Sequence, residues 1–279
     1  MNATEINWTE LTWNPMSGCK KISEGCKYCY AETLAENKRG TVGFPKGFDL
    51  TIRPHKLLEP ARVKKPSLIF ANSMSDFFLD EVPGEYRDRI FATIEANPAH
   101  RFQVLTKRPD AAAWYYKARG GAPSNVWAGA TVENRRRALE RMPWLQQTDA
   151  TVRFLSIEPL LGDLGELDLT GIHWVIVGGE SGSHLMDPAI RETRGLVDRN
   201  NGRWTARPSR MDWVRSLRDQ CLAQGVAFWF KQWGGAVGHY AGRNLDGHTW
   251  DELPLSVAGA MPAAYSHREL HLPSKTIAV

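Results

Sequence analysis

The sequence predicts an α/β protein, a partial (β/α) barrel of six to seven parallel strands. Short runs rich in β-branched and aromatic residues alternate with longer amphipathic stretches along most of the chain. This alternation is typical of consecutive βα units around a parallel sheet. Each of the later apolar runs is followed at once by polar residues. The chain of 279 residues is long enough to bury one substantial core.

Seven strands are expected, and the tryptophans within them are expected in the core because large aromatic rings dominate interior packing. The strands are predicted near residues 7–13, 67–72, 101–106, 125–131, 151–157, 173–178 and 226–231. The tryptophans concerned are Trp13, Trp127, Trp174 and Trp229.

Helices are predicted at residues 26–38, 84–97, 133–141 and 209–224. The first stops at Gly40, the second lies between Pro83 and Pro98, and the last starts at a Ser cap and ends at Gly225, which are common helix boundaries. Right-handed βα repetition normally builds one continuous unit. We therefore expect residues 1–279 to form a single domain.

Three segments do not follow the βα rhythm: a basic flap at 39–66, an inserted loop at 183–208 and a C-terminal extension at 235–279. Between Lys38 and Lys65 eight Lys or Arg face two acids, and the insertion carries six Arg when Arg210 is counted. Long loops in compact domains are usually functional or mobile. The flap is predicted either to face a polyanion such as nucleic acid or to be a solvated surface that acids elsewhere balance.

The composition is that of a soluble globular protein, with 42% hydrophobic and 24% charged residues. No stretch approaches the roughly twenty apolar residues that a membrane-spanning helix needs, and the first residues lack the pattern of a signal peptide. We therefore expect a cytoplasmic protein with no membrane partner. Its cysteines are expected to stay reduced there.

Three of the four cysteines crowd into one segment, as Cys19, Cys26 and Cys29 with the spacing Cys-x6-Cys-x2-Cys. Three thiolates can hold three irons of a [4Fe–4S] cluster and leave the fourth iron open to an external ligand. A structural zinc site would need a fourth ligand, and His55 or Cys221 would have to supply it from a distant part of the chain. Disulfides or free thiols are the third possibility.

The cysteine segment resembles the radical S-adenosylmethionine superfamily, whose usual spacing is Cys-x3-Cys-x2-Cys with an aromatic residue before the last cysteine. Tyr28 fills that aromatic position, and the first gap is three residues longer than usual. The resemblance implies a [4Fe–4S] cluster on Cys19, Cys26 and Cys29, with S-adenosyl-L-methionine bound to its open iron.

A closer resemblance is to a three-cysteine family of phage and bacterial proteins of unknown function. It is carried by blocks between residues 13 and 234: Trp-Asn-Pro-Met-Ser-Gly-Cys, Gly-Cys-Lys-Tyr-Cys-Tyr-Ala, Met-Ser-Asp-Phe-Phe, Leu-Thr-Lys-Arg-Pro, Trp-Ala-Gly-Ala-Thr-Val-Glu, Phe-Leu-Ser-Ile-Glu-Pro-Leu-Leu, Trp-Val-Ile-Val-Gly-Gly-Glu-Ser-Gly and Phe-Lys-Gln-Trp-Gly. The chain departs from this family by the insertion at 183–205. The resemblance implies a radical-S-adenosylmethionine-like fold.

In that superfamily the cofactor's ammonium is commonly bound near the end of the second strand, where this chain has Ser73, Ser75 and Asp76. The alternative is that Ser75-Asp76 only caps the next turn. Gly178-Gly179-Glu180 reads like the superfamily's Gly-Gly-Glu element but follows the sixth strand. Its glycines either let the backbone approach an adenine or ribose, with Glu180 accepting hydrogen bonds, or merely turn the chain.

Charged residues end the other strands, where the active site of a βα barrel lies. Lys107 and Arg108 are candidates to hold the cofactor carboxylate or a substrate phosphate. Glu133 and Glu158 are candidates to accept protons or to bind ribose hydroxyls. Buried acids need partners, for which Lys107, Arg108 and Lys231 are suited. An ion-pair network without a catalytic role is the alternative.

The favoured function is a radical S-adenosylmethionine enzyme that generates a 5′-deoxyadenosyl radical and modifies a nucleic-acid base or nucleotide, with an electron donor to reduce the cluster. A peptide substrate stays open. The alternatives are a zinc- or cluster-stabilised nucleic-acid-binding protein without catalysis and a cofactor-free scaffold. Cys221 recurs at four-residue spacing with Trp213 and Leu217, which predicts a buried, inert thiol.

Overall fold

The structure is a computed structural model that describes residues 1–238, 240–255 and 261. Its strands, in chain order, are β1 (Asn2–Ala3), β2 (Leu11–Trp13), β3 (Met16–Ser17), β4 (Thr51–Ile52), β5 (Leu68–Ala71), β6 (Arg101–Thr106), β7 (Val126–Thr131), β8 (Val152–Ile157), β9 (Trp174–Gly178), β10 (Val197–Asn200), β11 (Arg203–Ala206) and β12 (Ala227–Gln232). Its α-helices are α1 (Tyr30–Asn37), α2 (Gly84–Glu95), α3 (Pro109–Ala118), α4 (Arg135–Gln146), α5 (Pro188–Arg194) and α6 (Pro208–Ala223).

The main sheet has the strand order β1-β2-β5-β6-β7-β8-β9-β12. Every neighbouring pair from β2 to β12 is parallel, and β1 alone is antiparallel to its neighbour. The sheet is a half-barrel of seven parallel strands, so the predicted fold class is confirmed. The first predicted strand is shorter than expected, because only Leu11–Trp13 of residues 7–13 pairs with β5.

Side chains alternate between the two faces of this sheet, as in any strand. On one face, residues such as Val126, Leu155 and Val175 join a large core with the helices. On the other face, Phe70, Trp127 and Phe154 belong to a separate cluster inside the half-barrel. The sheet therefore buries both faces, which explains why its strands read as nearly continuous apolar runs.

Aromatic rings fill the inside of the half-barrel. The Trp174 ring lies 5.8 Å from Trp127, 6.1 Å from Trp229, 6.1 Å from Trp8 and 5.7 Å from Phe154, measured between ring centroids. The four tryptophans predicted in the core are at most 1% exposed. Because these rings fill the centre as an aromatic plug, a ligand has no room in the middle of the half-barrel.

The same alternation decides which polar residues reach the carboxyl ends of the strands. Glu133 has the parity of inward-facing Trp127, and Glu158 has the parity of Phe154. Counting two residues at a time also places Lys107, Glu180 and Lys231 on the inner face of their strands. Five charged side chains are thus brought to one mouth by strand geometry alone.

Outside the insertion, the helices agree with the sequence pattern except at two places. α3 follows β6 directly from Pro109 and was not among the expected helices. α6 starts at Pro208 with Arg207 as its N-cap residue, so Ser209 lies in the first turn and is not the cap. Among the described residues, no helix is both long and apolar enough to cross a membrane.

The flap and the insertion are ordered parts of the fold. In the flap, β4 pairs with β3, and the Arg53 guanidinium donates to the Ser17 hydroxyl at 2.9 Å. The insertion is not an irregular loop, because it contains α5 and the β10–β11 hairpin. Of the predicted extension at 235–279, His239, residues 256–260 and residues 262–279 lie outside the described residues.

Removing the central ring of the aromatic plug tests this packing. We expect Trp174→Ala to lower the free energy of unfolding by about 3–5 kcal/mol, because it leaves a cavity among four neighbouring rings. Leu222→Ala on α6 is the control, since Leu222 is 51% exposed; its effect should stay within about 0.5 kcal/mol. Denaturant unfolding measures both, and equal effects would contradict the packing described.

Candidate active site at the mouth of the half-barrel

The cysteine segment starts at the carboxyl edge of the sheet. The Gly18 amide donates to the Met74 carbonyl at 2.9 Å, and Gly18 forms a parallel bridge with Ser75, just after β5. Cys26 ends a short 3-10 turn, and Cys29 is the N-cap residue of α1. The three cysteines therefore lie on one short segment that begins beside the polar strand ends.

All three thiols are free and half-buried. The Cys19 sulfur lies 3.9 Å from Nη1 of Arg108, and the Cys26 sulfur lies 3.6 Å from the Ser23 hydroxyl. Burial, followed by the charge of Asp76, raises the pKa of Cys19 to about 11 although Arg108 opposes the rise. Within the described residues, no three His, Cys, Asp or Glu side chains already surround one point as metal ligands would.

Glu133 ties the cysteine segment to the barrel. Its side chain is fully buried and accepts hydrogen bonds from the Ser23 hydroxyl at 2.6 Å and from Nη1 of Arg141 at 2.9 Å. The Lys107 ammonium is 3.8 Å away. A Cβ on Gly25 would lie 2.6 Å from the Glu133 carboxylate, so only glycine lets the backbone approach this closely. Glu133 is thus a buried, doubly paired anchor.

Asp76 is a second hub. Its carboxylate accepts hydrogen bonds from the Thr106 hydroxyl at 2.8 Å and from the Phe78 and Lys107 amides at 3.0 and 3.1 Å. Nη1 of Arg108 completes the set at 3.2 Å. The Phe78 contact is the turn cap that the sequence allowed, and the Arg108 contact holds the guanidinium beside Cys19.

Buried polar atoms without partners lie next to this hub. The side-chain oxygens of Asn72 and Ser75 are buried and accept or donate no hydrogen bond within the described part of the chain. Ser73 is engaged instead, since its hydroxyl accepts from Asn14 at 2.9 Å and its carbonyl accepts from the Tyr30 hydroxyl at 2.5 Å. A buried polar group without a hydrogen bond costs free energy. A polar ligand group that bonds to either of these two oxygens would remove that cost.

A third acid of the mouth, Glu158, pairs with Lys231 at 2.5 Å between Oε1 and Nζ. Both side chains are 21% exposed, so this pair is more open than the one around Glu133. The structure thus pairs three of the mouth acids with a cation that the sequence suggested: Lys107 with Glu133, Arg108 with Asp76, and Lys231 with Glu158.

The insertion covers the other side of the cysteine segment. The His184 ring stacks on Tyr28 with 3.9 Å between centroids, and the Arg194 guanidinium lies 5.2 Å from the centre of the Tyr28 ring. Arg194 also holds both carboxylate oxygens of Glu180 at 2.6 Å and donates to the Glu24 carbonyl at 3.1 Å. Tyr28 and Glu180 are therefore occupied by protein contacts.

Gly178 and Gly179 end β9 with little room for side chains. A Cβ on Gly179 would be 2.0 Å from the Trp233 carbonyl oxygen, and one on Gly178 would be 3.3 Å from Cδ of Glu158. The close approach at Gly179 is thus made by the chain's own backbone after β12. Of the two interpretations drawn from the sequence, this contact favours the structural one.

Several residues of this mouth were not singled out from the sequence: Asn14, Ser23, Arg141, His184 and Arg194. Arg141 sits on α4, eight residues after Glu133, where a helix returning along the strand brings it back beside β7. That spacing is a signal that could have been used. Ser23, His184 and Arg194 carry no such local pattern, because their partners are remote in sequence.

The donor set is compatible with a three-cysteine [4Fe–4S] cluster. It offers three half-exposed thiols, with the Arg108 guanidinium placed to donate a hydrogen bond to the Cys19 sulfur, and such bonds tune bound clusters. Of the two fourth ligands that the sequence offered to zinc, Cys221 is 1% exposed within the helix-side core, which agrees with the predicted buried thiol. His55 lies exposed in a separate 3-10 turn.

The anchor role of Glu133 can be tested by local proteolysis. In Glu133→Gln the amide loses the charge that pairs with Arg141 and Lys107, so we expect a destabilisation of about 1–3 kcal/mol. Trypsin should then cut faster at Lys20, Lys21 or Lys27 in the released segment, as read by mass spectrometry. Glu95→Gln, at an exposed ion pair with Arg119, should leave the cutting rate unchanged. An unaltered rate in Glu133→Gln would refute the anchor.

Solved structures of one enzyme are similar to this chain, and the first of those described below supports the architecture. A Cys-to-Ser variant of spore photoproduct lyase is similar in structure, with a TM-score of 0.52 and 14% identity over 82% of this chain and 78% of that chain. A Tyr-to-Phe variant of the same enzyme gives a TM-score of 0.49 and 13% identity over 78% and 75%. A further variant with bound AdoMet and dinucleoside spore photoproduct gives a TM-score of 0.47 and 11% identity over 80% of this chain and 76% of that chain. At these identities the likeness concerns the fold alone.

Sequence comparison defines the family. No curated protein matches the chain. Residues 3–200 and 200–254 match the family described as "Protein of unknown function (DUF5131)", which covers most of the 279 residues and all the mouth residues described above. The chain therefore belongs to the DUF5131 family.

Proposed function

We propose that this protein is a radical S-adenosylmethionine enzyme that modifies a nucleic-acid base or nucleotide. One observation carries the proposal: the three-cysteine segment is fastened at the mouth of the half-barrel by Ser23 and Glu133. At that mouth lie cations, acids and two buried oxygens without partners. A purely structural metal site would not require this set of polar groups.

In this proposal Cys19, Cys26 and Cys29 hold a [4Fe–4S] cluster. When bound and reduced, such a cluster supplies the electron that cleaves S-adenosylmethionine to a 5′-deoxyadenosyl radical. An electron donor protein or reductant is therefore required as a partner.

The unpartnered oxygens of Asn72 and Ser75 are suited to the ammonium of S-adenosylmethionine, since a cation needs acceptors. Asp76 acts through Arg108, because its own oxygens are already bonded. Arg108, 11% exposed, and Lys107, 23% exposed, are suited to the cofactor carboxylate. Ser73 would contribute through the ordered backbone that follows β5.

Tyr28, Gly178, Gly179 and Glu180 are assigned a supporting role around the cofactor. The stack of Tyr28 with His184 and the bidentate Arg194–Glu180 pair hold the cysteine segment and the end of β9 against each other. Such bonding fixes geometry in the way that preorganised sites require. These residues would therefore position the cofactor without binding it by free side-chain atoms.

Glu133 and Glu158 receive different roles. Glu133 is fully buried and paired twice, so it is proposed as a positioning residue. Glu158 is partly exposed and has one partner, Lys231, so it is the better candidate to accept or return a proton at the substrate. Lys107 remains a candidate catalytic cation, because it lies between Glu133 and open solvent.

Exposed Lys and Arg side chains that form no ion pair among the described residues support a polyanionic substrate. In the flap, and at Lys38 just before it, exposed cations without an ion pair among the described residues are Lys38, Lys46, Arg62, Lys64 and Lys65. Of the six Arg in the insertion, four are bound to the protein's own groups. Arg199 and Arg203, near the tip of the β10–β11 hairpin, are exposed and available to phosphate.

Anaerobic reconstitution tests the cofactor assignment. We expect the wild-type chain to take up about four iron and four sulfide per molecule and to release 5′-deoxyadenosine when S-adenosylmethionine and dithionite are added. Cys26→Ala should lose both properties. Cys221→Ala is the matched control and should retain both, because that thiol lies in the core under α6.

Stoichiometric zinc without iron would exclude the radical enzyme and favour the nucleic-acid-binding alternative. An iron-loaded protein that never releases 5′-deoxyadenosine with any DNA, RNA, nucleotide or peptide would favour a scaffold.

Salt dependence tests the substrate class. Each lost phosphate contact makes the plot of log K against log salt concentration shallower by about 0.9 on duplex DNA. We therefore expect Arg199→Ala/Arg203→Ala to reduce the slope by about 1.8, measured by fluorescence anisotropy. Arg89→Ala/Arg136→Ala removes the same charge from helices α2 and α4 and should not change the slope. Equal slopes for wild type and the hairpin variant would refute this surface.

A further inference from the structure

A second cleft lies at the end of the half-barrel opposite the cysteines. It has a volume of about 320 Å³, room for about ten water molecules. Its lining comes from the last turns of α3 and α4 and from the loops that lead into β7 and β8. Because these loops precede their strands, the cleft sits at the amino ends of the sheet, away from the mouth.

Two tryptophans form the walls of this cleft. The rings of Trp114 and Trp144 have centroids 6.5 Å apart and planes inclined at 43°, so they form a wedge that is open on one side. Trp114 is 60% exposed, which is unusual for so large an apolar side chain. Two rings that stack on a ligand from either side must be parallel and about 7 Å apart, so the exposed Trp114 ring has to turn through the 43° between the planes to admit one flat ring.

Two side chains of opposite charge line the same cleft. The Lys117 ammonium lies 5.5 Å from the centre of the Trp114 ring and forms no ion pair among the described residues. Asp149 is exposed, and its Oδ1 accepts from the Ala122 amide at 2.8 Å. No hydrogen bond among the described residues has Oδ2 of Asp149 as its acceptor. This oxygen of a cleft-lining residue is therefore free to accept a hydrogen bond from a ligand.

We infer that this cleft binds a guanine nucleotide. A flat heteroaromatic ring suits the two tryptophans, since bases stack on aromatic side chains. A carboxylate only accepts hydrogen bonds, and guanine presents two adjacent N–H donors on one edge whereas adenine presents one amino group. Lys117 then meets the phosphate as a point charge. This site is separate from the cysteine mouth and does not depend on the function proposed for it.

Isothermal titration calorimetry on the full chain, without any cluster, tests the inference. Wild type should bind GMP and should bind AMP at least about tenfold more weakly, the loss expected for one charge-assisted hydrogen bond. Asp149→Asn keeps an oxygen for the Ala122 amide and should weaken GMP at least about tenfold. Lys117→Ala should weaken GMP but leave guanosine unchanged, because guanosine has no phosphate.

Matched controls keep the test decisive. Asp163→Asn removes a comparable exposed carboxylate that accepts from a backbone amide two residues later, and Leu139→Ala removes an exposed side chain from α4. Both should bind GMP as wild type does. Trp114→Ala, at an exposed position that folding does not require, should abolish binding. No GMP binding by wild type, equal affinity for GMP and AMP, or unchanged affinity in Asp149→Asn would each overturn the inference.

Discussion

The buried carboxylate of Glu133 is the contact on which the geometry of the mouth depends. It lies two residues beyond β7, on the inner face of the sheet, and it receives the Ser23 hydroxyl and the Arg141 guanidinium. A buried charge is tolerated only when it is paired and hydrogen-bonded. Arg141 and Lys107 compensate this charge from the barrel itself, and the Ser23 hydroxyl adds the hydrogen bond that ties the cysteine segment to the same carboxylate.

Around this anchor the mouth divides into closed and open parts. Asp76 has its oxygens bonded and serves to hold Arg108 beside Cys19, whereas Glu158 has one partner and partial access to solvent. Residues that look equivalent in the sequence, each an acid at a strand end, thus differ in what they can do. Burial and the number of hydrogen bonds, not residue type, separate a positioning group from a group that can exchange a proton.

In the insertion after β9, the number of Arg along the chain overstates the positive charge that is available to a partner. Six Arg in one segment indicate a polyanion-binding surface, yet four of them form hydrogen bonds to groups of the protein itself. Arg207 pairs with Asp198 and Glu192, and Arg194 fastens Glu180 to the cysteine segment. A guanidinium has five donors, so arginine is well suited to hold carbonyl and carboxylate groups in an irregular segment. Only the exposed Arg near the hairpin tip are left for a partner.

The sequence by itself determined the parallel sheet, most helices, the buried tryptophans and the set of charged strand ends, because these follow from local periodicity: alternation of two along a strand carries Glu133, Glu158 and Lys231 to the inner face. It also identified the cysteine segment and the family resemblance. Only the tertiary structure decided which acid meets which donor. Ser23 reaches Glu133 across 110 residues and Arg194 reaches Glu24 across 170, and no local pattern encodes such pairs. They exist because closing the sheet and folding the insertion over it bring remote segments to the same mouth, where every buried charge must find a partner.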